Sequence, residues 1–159
     1  MNRVTKELIY RPPFGVLKLQ SDGKSLTSVK FITGRAGLSK SGCKILNQAK
    51  KQLNEYFSGK RKKFSLPLNP AGTEFQKKVW KELCKIKYGH LVTYKDIANS
   101  LGNLKTVRAV GNAVAKNPVP IIIPCHRVIH SSGDVTGYSG PKAVKEWLIY
   151  FESLNIKQR

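Results

Sequence analysis

Three consecutive residues with reactive side chains, Cys125, His126 and Arg127, follow a short apolar run that ends at a proline. The run, residues 119–123, is rich in β-branched side chains. This predicts a buried segment that stops at Pro124, because proline donates no backbone hydrogen bond and restricts the residue before it. Cysteine is a useful nucleophile only as the thiolate, a form that neighbouring cationic groups favour. We therefore predict that Cys125 is the nucleophile of a covalent reaction.

The residues around Cys125 carry more information than the cysteine itself, since a lone cysteine after an isoleucine run is usually a small packed residue. Residues 124–128 are Pro-Cys-His-Arg-Val, Asn-Pro stands upstream at 117–118, and Gly-Tyr-Ser-Gly follows at 137–140. This combination resembles the active-site motif of the O6-alkylguanine-DNA alkyltransferases, also called methylated-DNA-protein-cysteine methyltransferases. The resemblance covers residues 73–152, whereas the first 70 residues match only in general layout.

The resemblance implies DNA repair by direct reversal. A methyl or other alkyl group would move irreversibly from O6 of guanine in DNA to Cys125, so that each molecule acts once, and no cofactor is expected. In this resemblance His126 is a base that acts through a water, Glu152 orients His126, and Asn117 is the hinge beside the active-site turn. A water between thiol and base fits an extended segment, in which neighbouring side chains point to opposite faces.

The resemblance also assigns residues to the substrate and to DNA. Tyr94 and Arg108 resemble the pair that evicts the target base, with Arg108 filling the vacated stack. The residues expected to bind the guanine are Tyr94, Val114, Pro120, Val128, Val135, Tyr138 and Ser139. The residues expected to contact DNA are Thr93, Tyr94, Lys105, Thr106, Arg108, Arg127 and Ser131.

Two positions depart from the family pattern. Pro141 stands where many members have a second glycine after the loop, and Val114 takes a pocket position that can be larger elsewhere. Both bear on the size of the alkyl group that is accepted. They leave the chemistry expected of Cys125 unchanged.

The charge of the chain independently favours a nucleic-acid partner. Lys and Arg number 29 against 9 Asp and Glu, a net charge of +20, and both halves of the chain are basic. A charge of this size that is spread over the chain favours a polyanion, because each neutralised phosphate releases counterions. We expect double-stranded DNA carrying O6-alkylguanine as the partner of a monomeric protein.

The cysteines and the hydropathy pattern bear on the compartment. The three cysteines, Cys43, Cys84 and Cys125, form no close pair, which favours a reducing compartment over a disulfide framework. Neither an apolar run of membrane-spanning length nor a signal-peptide pattern is present, so we expect no membrane association. The expected location is intracellular: the cytoplasm, or the nucleus in a eukaryote. No histidine and cysteine spacing suggests a zinc site.

The pattern of the first 70 residues predicts a small domain. Residues 6–33 alternate apolar and polar positions between turn motifs, which indicates short antiparallel strands. From about Ser41, apolar residues three and four apart predict an amphipathic helix that ends at Gly59. The basic run 60–63 is interpreted as a solvated linker. The predicted domains are 1–70, a small antiparallel sheet with a helix, and 71–159.

The second domain is predicted to be mainly helical, giving an α/β (α+β) fold overall. Thr73 and Gln76 form a capping-box pair that begins a helix ending near Gly89, with Cys84 packed inside it. Two short helices, 93–102 and 106–116, then suggest a helix-turn-helix. On the second of these helices the residues expected to face outward are Lys105, Arg108, Asn112 and Lys116.

The last predicted helix follows the Gly-Tyr-Ser-Gly loop. Pro141 suits its first position, and its inner face is expected to carry Val144, Trp147, Leu148 and Phe151. Glu152 lies one residue beyond this stripe. Without the resemblance, it would be interpreted as an exposed carboxylate near a helix end.

Two other classes of function are compatible with the residues alone. In a non-enzymatic DNA-binding regulator the helix-turn-helix is the function and Cys125 only packs. A cysteine hydrolase would use Cys125, His126 and Glu152 and would turn over. The regulator gives no covalent product, whereas the hydrolase continues beyond one equivalent.

Overall fold

The computed structural model describes residues 5–34 and 41–157, and the contacts divide the chain into the units Met1–Ala71 and Gly72–Arg159. The first unit contains three antiparallel strands in the order β1 (Lys6–Tyr10), β2 (Val16–Ser21) and β3 (Leu26–Ile32). The predicted alternation is confirmed along the central strand β2, where Leu17 and Leu19 are fully buried and Lys18 is half-buried.

A single amphipathic helix, α1 (Lys44–Phe57), packs its apolar stripe inside the first unit. Its buried residues include Leu46, Ala49, Leu53 and Tyr56. The helix begins three residues after the predicted start at Ser41, and Gly59 follows it with a φ of +76°, which an L side chain rarely adopts. In the run 60–63, Lys60, Lys62 and Lys63 are exposed.

The second unit begins with α2 (Glu74–Leu83), whose first turn is closed by the predicted capping box. The Thr73 side chain accepts from the Gln76 amide, and the Gln76 side chain accepts from the Thr73 amide. The prediction that this helix extends to near Gly89 was wrong. The helix ends at Leu83. Beyond it the backbone hydrogen bonds span three residues, as in the bond from the Ile86 amide to the Leu83 carbonyl.

Cys84 lies just beyond the end of α2 and is exposed, so the prediction that it packs inside the helix was also wrong. The physical reason is the earlier helix end, since a residue in the closing turn is no longer held on the inner stripe. The apolar partners inside the unit are Val79, Trp80 and Leu83.

The two predicted short helices are α3 (Tyr94–Ser100), capped by Thr93, and α4 (Val107–Ala115), which pack together. A 3-10 turn, Leu104–Thr106, joins α4 at its start. Trp80 Nε1 donates to the Ala113 carbonyl over 2.8 Å and fixes α4 on α2.

A parallel pair of short strands, which the sequence did not predict, places the start of α3 beside the cysteine segment. Strand β4 (Val92–Thr93) pairs with β5 (Val128–Ile129), Val92 opposite Val128. The final helix α5 (Lys142–Ile156) follows Pro141 and buries Val144 and Leu148. Among the described residues, no helix is long and apolar enough to span a membrane.

Candidate active site

A tight turn connects α4 to the cysteine, and the Asn117 side chain closes it. Asn117 Nδ2 donates to the Ile123 carbonyl over 2.9 Å, while its Oδ1 accepts from the Val119 amide, also over 2.9 Å. Within this turn Ile121 has a φ of +74°, a conformation that is unfavourable for a β-branched residue and costs about 1–3 kcal/mol. The two bonds of the buried Asn117 hold this strained turn.

The residues Cys125–Arg127 form a single 3-10 turn, so the prediction of an extended segment was wrong. The Arg127 amide donates to the Pro124 carbonyl over 3.0 Å and closes the turn, because Pro124 can accept a hydrogen bond although it cannot donate one. Side chains in a 3-10 helix follow one another at about a third of a turn. Adjacent Cys125 and His126 therefore still point in different directions.

The Cys125 thiol is fully buried. Its sulfur lies 3.6 Å from the Ser139 Oγ, in the Gly-Tyr-Ser-Gly loop. Burial raises the pKa of the Cys125 thiol, against the opposing effect of hydrogen bonds from Asn117 and Ser139 and of the Lys145 charge. At neutral pH the thiol keeps its proton, so a nucleophilic role requires a base.

His126 and Glu152 form a buried pair, in contrast to the exposed position that the pattern alone suggested for Glu152. The His126 Nε2 lies 2.7 Å from a Glu152 oxygen. Burial lowers the pKa of His126, although the carboxylate opposes this, so the imidazole is neutral at pH 7 and Nε2 carries the proton donated to Glu152. Among the described residues, the buried His126 Nδ1 has no hydrogen-bond partner.

The structure corrects the expectation that Arg127 contacts DNA. Arg127 is buried, and its Nε and Nη2 donate to the two oxygens of Glu152, each over 2.9 Å. Its Nη1 donates to the Ile86 carbonyl over 2.7 Å. The guanidinium therefore points into the second unit, where a carboxylate offers a bidentate partner.

Lys145 is a buried cation that the sequence analysis missed. Its Nζ donates to the Val128 carbonyl over 2.6 Å and to the Thr136 carbonyl over 3.3 Å. Burial lowers the pKa of Lys145 to about 8. The available signal was its position directly after Val144, at the border of the predicted inner face, although a lysine is rarely buried without a specific partner.

The loop that carries Ser139 is held near the thiol by Tyr94 as well. The buried Tyr94 hydroxyl donates to the Thr136 carbonyl over 3.0 Å. A Cβ added at Gly137 would lie 2.5 Å from the Tyr94 oxygen, and Gly137 itself has a φ of +85°. Glycine is thus required at 137 both by its backbone conformation and by the close approach of Tyr94.

The residues expected around the guanine differ in burial. Val114, Pro120 and Val128 are buried, while Val135, Tyr138 and Ser139 are half-buried. Val135, Tyr138 and Ser139 belong to the loop whose Ser139 Oγ lies 3.6 Å from the Cys125 sulfur.

A cleft of about 390 Å³ lies beside this loop. Its lining includes Tyr94, Arg108, Asn112, Ser131 and Gly137. Residues 105, 108, 112 and 116 are all exposed, which confirms the outward face predicted for α4. Thr93 and Thr106 are half-buried, and both hydroxyls bond locally, Thr93 to the Asp96 amide and Thr106 to the Asn103 carbonyl.

Known protein families account for both units. The family described as 6-O-methylguanine DNA methyltransferase, DNA binding domain, matches residues 74–154, and its ribonuclease-like domain matches residues 6–70. The chain belongs to this family of DNA-repair methyltransferases. A methylated-DNA-protein-cysteine methyltransferase of Methanosarcina barkeri is 44% identical over 154 residues, which cover 94% of this chain and 98% of the relative.

Solved structures of the family share the fold. The Mycobacterium tuberculosis O6-methylguanine methyltransferase superposes with a TM-score of 0.88 at 34% identity, covering 98% of this chain and 97% of the other. A structure of the M. tuberculosis protein in complex with DNA has a TM-score of 0.83 at 39% identity and covers 92% of both chains. The predicted α+β architecture is confirmed.

Proposed function

We propose that Cys125 accepts the alkyl group from O6-alkylguanine in double-stranded DNA, and that His126 and Glu152 supply the base. The observation that carries this assignment is the buried His126 Nδ1, which lacks a protein partner among the described residues, on a ring that is paired with Glu152 and follows directly on the buried Cys125. A buried polar nitrogen of this kind is suited to a bound water. Such a water would join His126 to the thiol.

The reaction follows from these positions. The Cys125 thiol passes its proton through the water to His126 Nδ1, and Glu152 stabilises the imidazolium that forms. The sulfur attacks the alkyl carbon, the bond from that carbon to guanine O6 breaks, and its electron pair stays on the guanine, which takes up one proton and so balances the one that the thiol gave to His126. The product is a thioether on Cys125. Because a thioether does not hydrolyse, each protein molecule reacts once.

The target base must leave the duplex before its O6 can reach a buried thiol. We propose that α4 enters the minor groove and that the exposed Arg108, in the wall of the cleft, fills the vacated stack. Access to Cys125 then requires the loop around Ser139 to move away from Tyr94 and Lys145. We further propose that the protein acts as a monomer in a reducing compartment, where the cysteines Cys43, Cys84 and Cys125 stay as free thiols.

The assignment is tested by reaction with a duplex that contains one O6-methylguanine. We expect one added methyl group per protein molecule, located on the Cys125 peptide by mass spectrometry, and a reaction that stops at one equivalent. Methylation of Cys43 or Cys84 instead would overturn the choice of nucleophile. Continued turnover would favour a hydrolase, and DNA binding with no covalent product would favour a regulator.

Removal of the Arg108 side chain tests base extrusion separately from chemistry. We expect Arg108→Ala to slow transfer from duplex O6-methylguanine between tenfold and a few hundredfold, equivalent to about 1.4–3 kcal/mol of unstacking left uncompensated. The free base O6-benzylguanine needs no extrusion, so its reaction should stay close to the parent rate. Single-turnover rates on both substrates are the measurement.

Lys116→Ala provides the matched control for Arg108, since this exposed cation lies at the end of the same helix and does not line the cleft. A cation that only contacts phosphate lowers the salt slope of binding by about one unit when it is removed. Equal slowing of Arg108→Ala on duplex and free base would show that Arg108 supports the pocket or the fold, and its extrusion role would be withdrawn.

A further inference from the structure

Two potential cations share a single carboxylate in the buried centre of the second unit. Glu152 accepts from His126 Nε2 and from Arg127 Nη2 on one oxygen, and from Arg127 Nε and the Gly89 amide on the other. The side chains of His126 and Glu152 are almost completely inaccessible to solvent, and that of Arg127 nearly so. With so little water present, the charges within this group are screened mainly by one another.

Of the two groups that pair with Glu152, Arg127 and His126, only His126 can change its charge near neutral pH. The Arg127 guanidinium stays protonated at any ordinary pH, whereas histidine exchanges its proton near neutrality. If Arg127 did not neutralise Glu152, the carboxylate would draw a second proton onto His126. The imidazole would then carry hydrogens on both nitrogens, and Nδ1 could no longer accept the thiol proton.

We propose that Arg127 is a positioning residue of the transfer reaction: by neutralising Glu152, it keeps His126 as an uncharged base with Nδ1 free. This inference rests on the proposed function and deepens it, because it assigns Arg127, which is always charged, a role in the proton transfer from the Cys125 thiol to His126. The bidentate geometry supports it, since a fork that holds both Glu152 oxygens also fixes the carboxylate against His126. The Ile86 carbonyl fixes the fork in turn.

The other charged and titratable groups around His126 are compatible with this role of Arg127. Burial lowers the pKa of the His126 imidazole most; the hydrogen bond and charge of Glu152 raise it, and the charges of Arg127 and Lys145 lower it further. Cys125 is protonated because burial raises its pKa. Tyr88, whose ring lies 5.6 Å from the Arg127 guanidinium carbon, has a pKa of about 12 because of burial, and the pKa of Cys84 is also raised. Near neutral pH, burial favours the neutral imidazole, and the Arg127 charge adds to this effect by opposing the carboxylate of Glu152.

The test is the pH dependence of single-turnover methyl transfer from an O6-methylguanine duplex. On the acid limb of this profile, the transfer rate falls with decreasing pH as His126 becomes protonated. In Arg127→Gln, which can hydrogen-bond but carries no charge, we expect the midpoint of this limb to rise by about 1–3 pH units, the effect of an adjacent charge. Arg127→Lys keeps the charge and loses the fork, so its midpoint should stay within about half a unit of the parent, at a lower plateau rate.

A uniform loss of rate in Arg127→Gln with an unchanged midpoint would show that Arg127 only supports the fold. The parent protein provides a second test that needs no variant. Nitrogen-15 NMR of His126 should show a neutral ring protonated at Nε2 at pH 7, and a doubly protonated ring at that pH would overturn the inference. The NMR result does not depend on which thiol accepts the methyl group, so failure of this inference is distinct from failure of the Cys125 assignment.

Discussion

Substitution of Cys125 by serine is expected to abolish methyl transfer while leaving DNA affinity within about twofold of the parent. A serine hydroxyl has a far higher pKa than a thiol, and a single histidine base does not ionise it readily. DNA affinity depends instead on phosphate contacts from the basic surface, to which the buried Cys125 contributes nothing. Transfer is measured by mass spectrometry and affinity by titration of a labelled duplex.

The other two thiols provide matched controls. Cys84→Ser removes an exposed thiol and should preserve both transfer and stability. Cys43→Ser changes a buried thiol in the first unit, 3.8 Å from the Ser21 hydroxyl, and should preserve transfer. Residual methylation in Cys125→Ser would contradict the assignment, and so would a folded but inactive Cys84→Ser.

The features that the sequence predicted well are those set by neighbouring residues. The capping box of Thr73 uses Gln76, three positions later, and the end of α4 before Pro118 follows from the restriction that proline places on Asn117. The outward face of α4 follows from helical period alone. Each depends on interactions within one or two turns of chain, which a linear pattern records.

The features that it missed depend on partners far away in the chain. The family resemblance assigned Arg127 to DNA, and nothing local shows that its partner Glu152 lies 25 residues later. Lys145 was missed for the same reason, since its acceptor at Val128 is 17 residues earlier. The family motif predicted roles for Cys125 and His126, but it did not show which charged side chains surround them.

His126 and Glu152 are expected to act as one unit in the rate of transfer. Loss of a positioned general base usually costs about 10²- to 10⁴-fold, and we expect His126→Ala to fall in this range. Glu152→Gln leaves the ring in place but removes the charge that stabilises the imidazolium and selects Nε2 as the protonated nitrogen. Its loss should approach that of His126→Ala.

The double variant, which combines His126→Ala with Glu152→Gln, shows whether the two residues act together or independently in the rate of transfer. If Glu152 acts only through His126, the combined loss should equal that of His126→Ala, because a carboxylate without its base has nothing left to orient. Glu146→Gln is the control: this exposed carboxylate lies on the same helix, and its change should alter the rate by less than about twofold. Thermal unfolding must show that each variant is folded at the assay temperature, since breaking a buried ion pair costs about 3–5 kcal/mol. Losses that multiply in folded proteins would show that Glu152 contributes to transfer by a route other than His126, and the relay from thiol to carboxylate would be wrong.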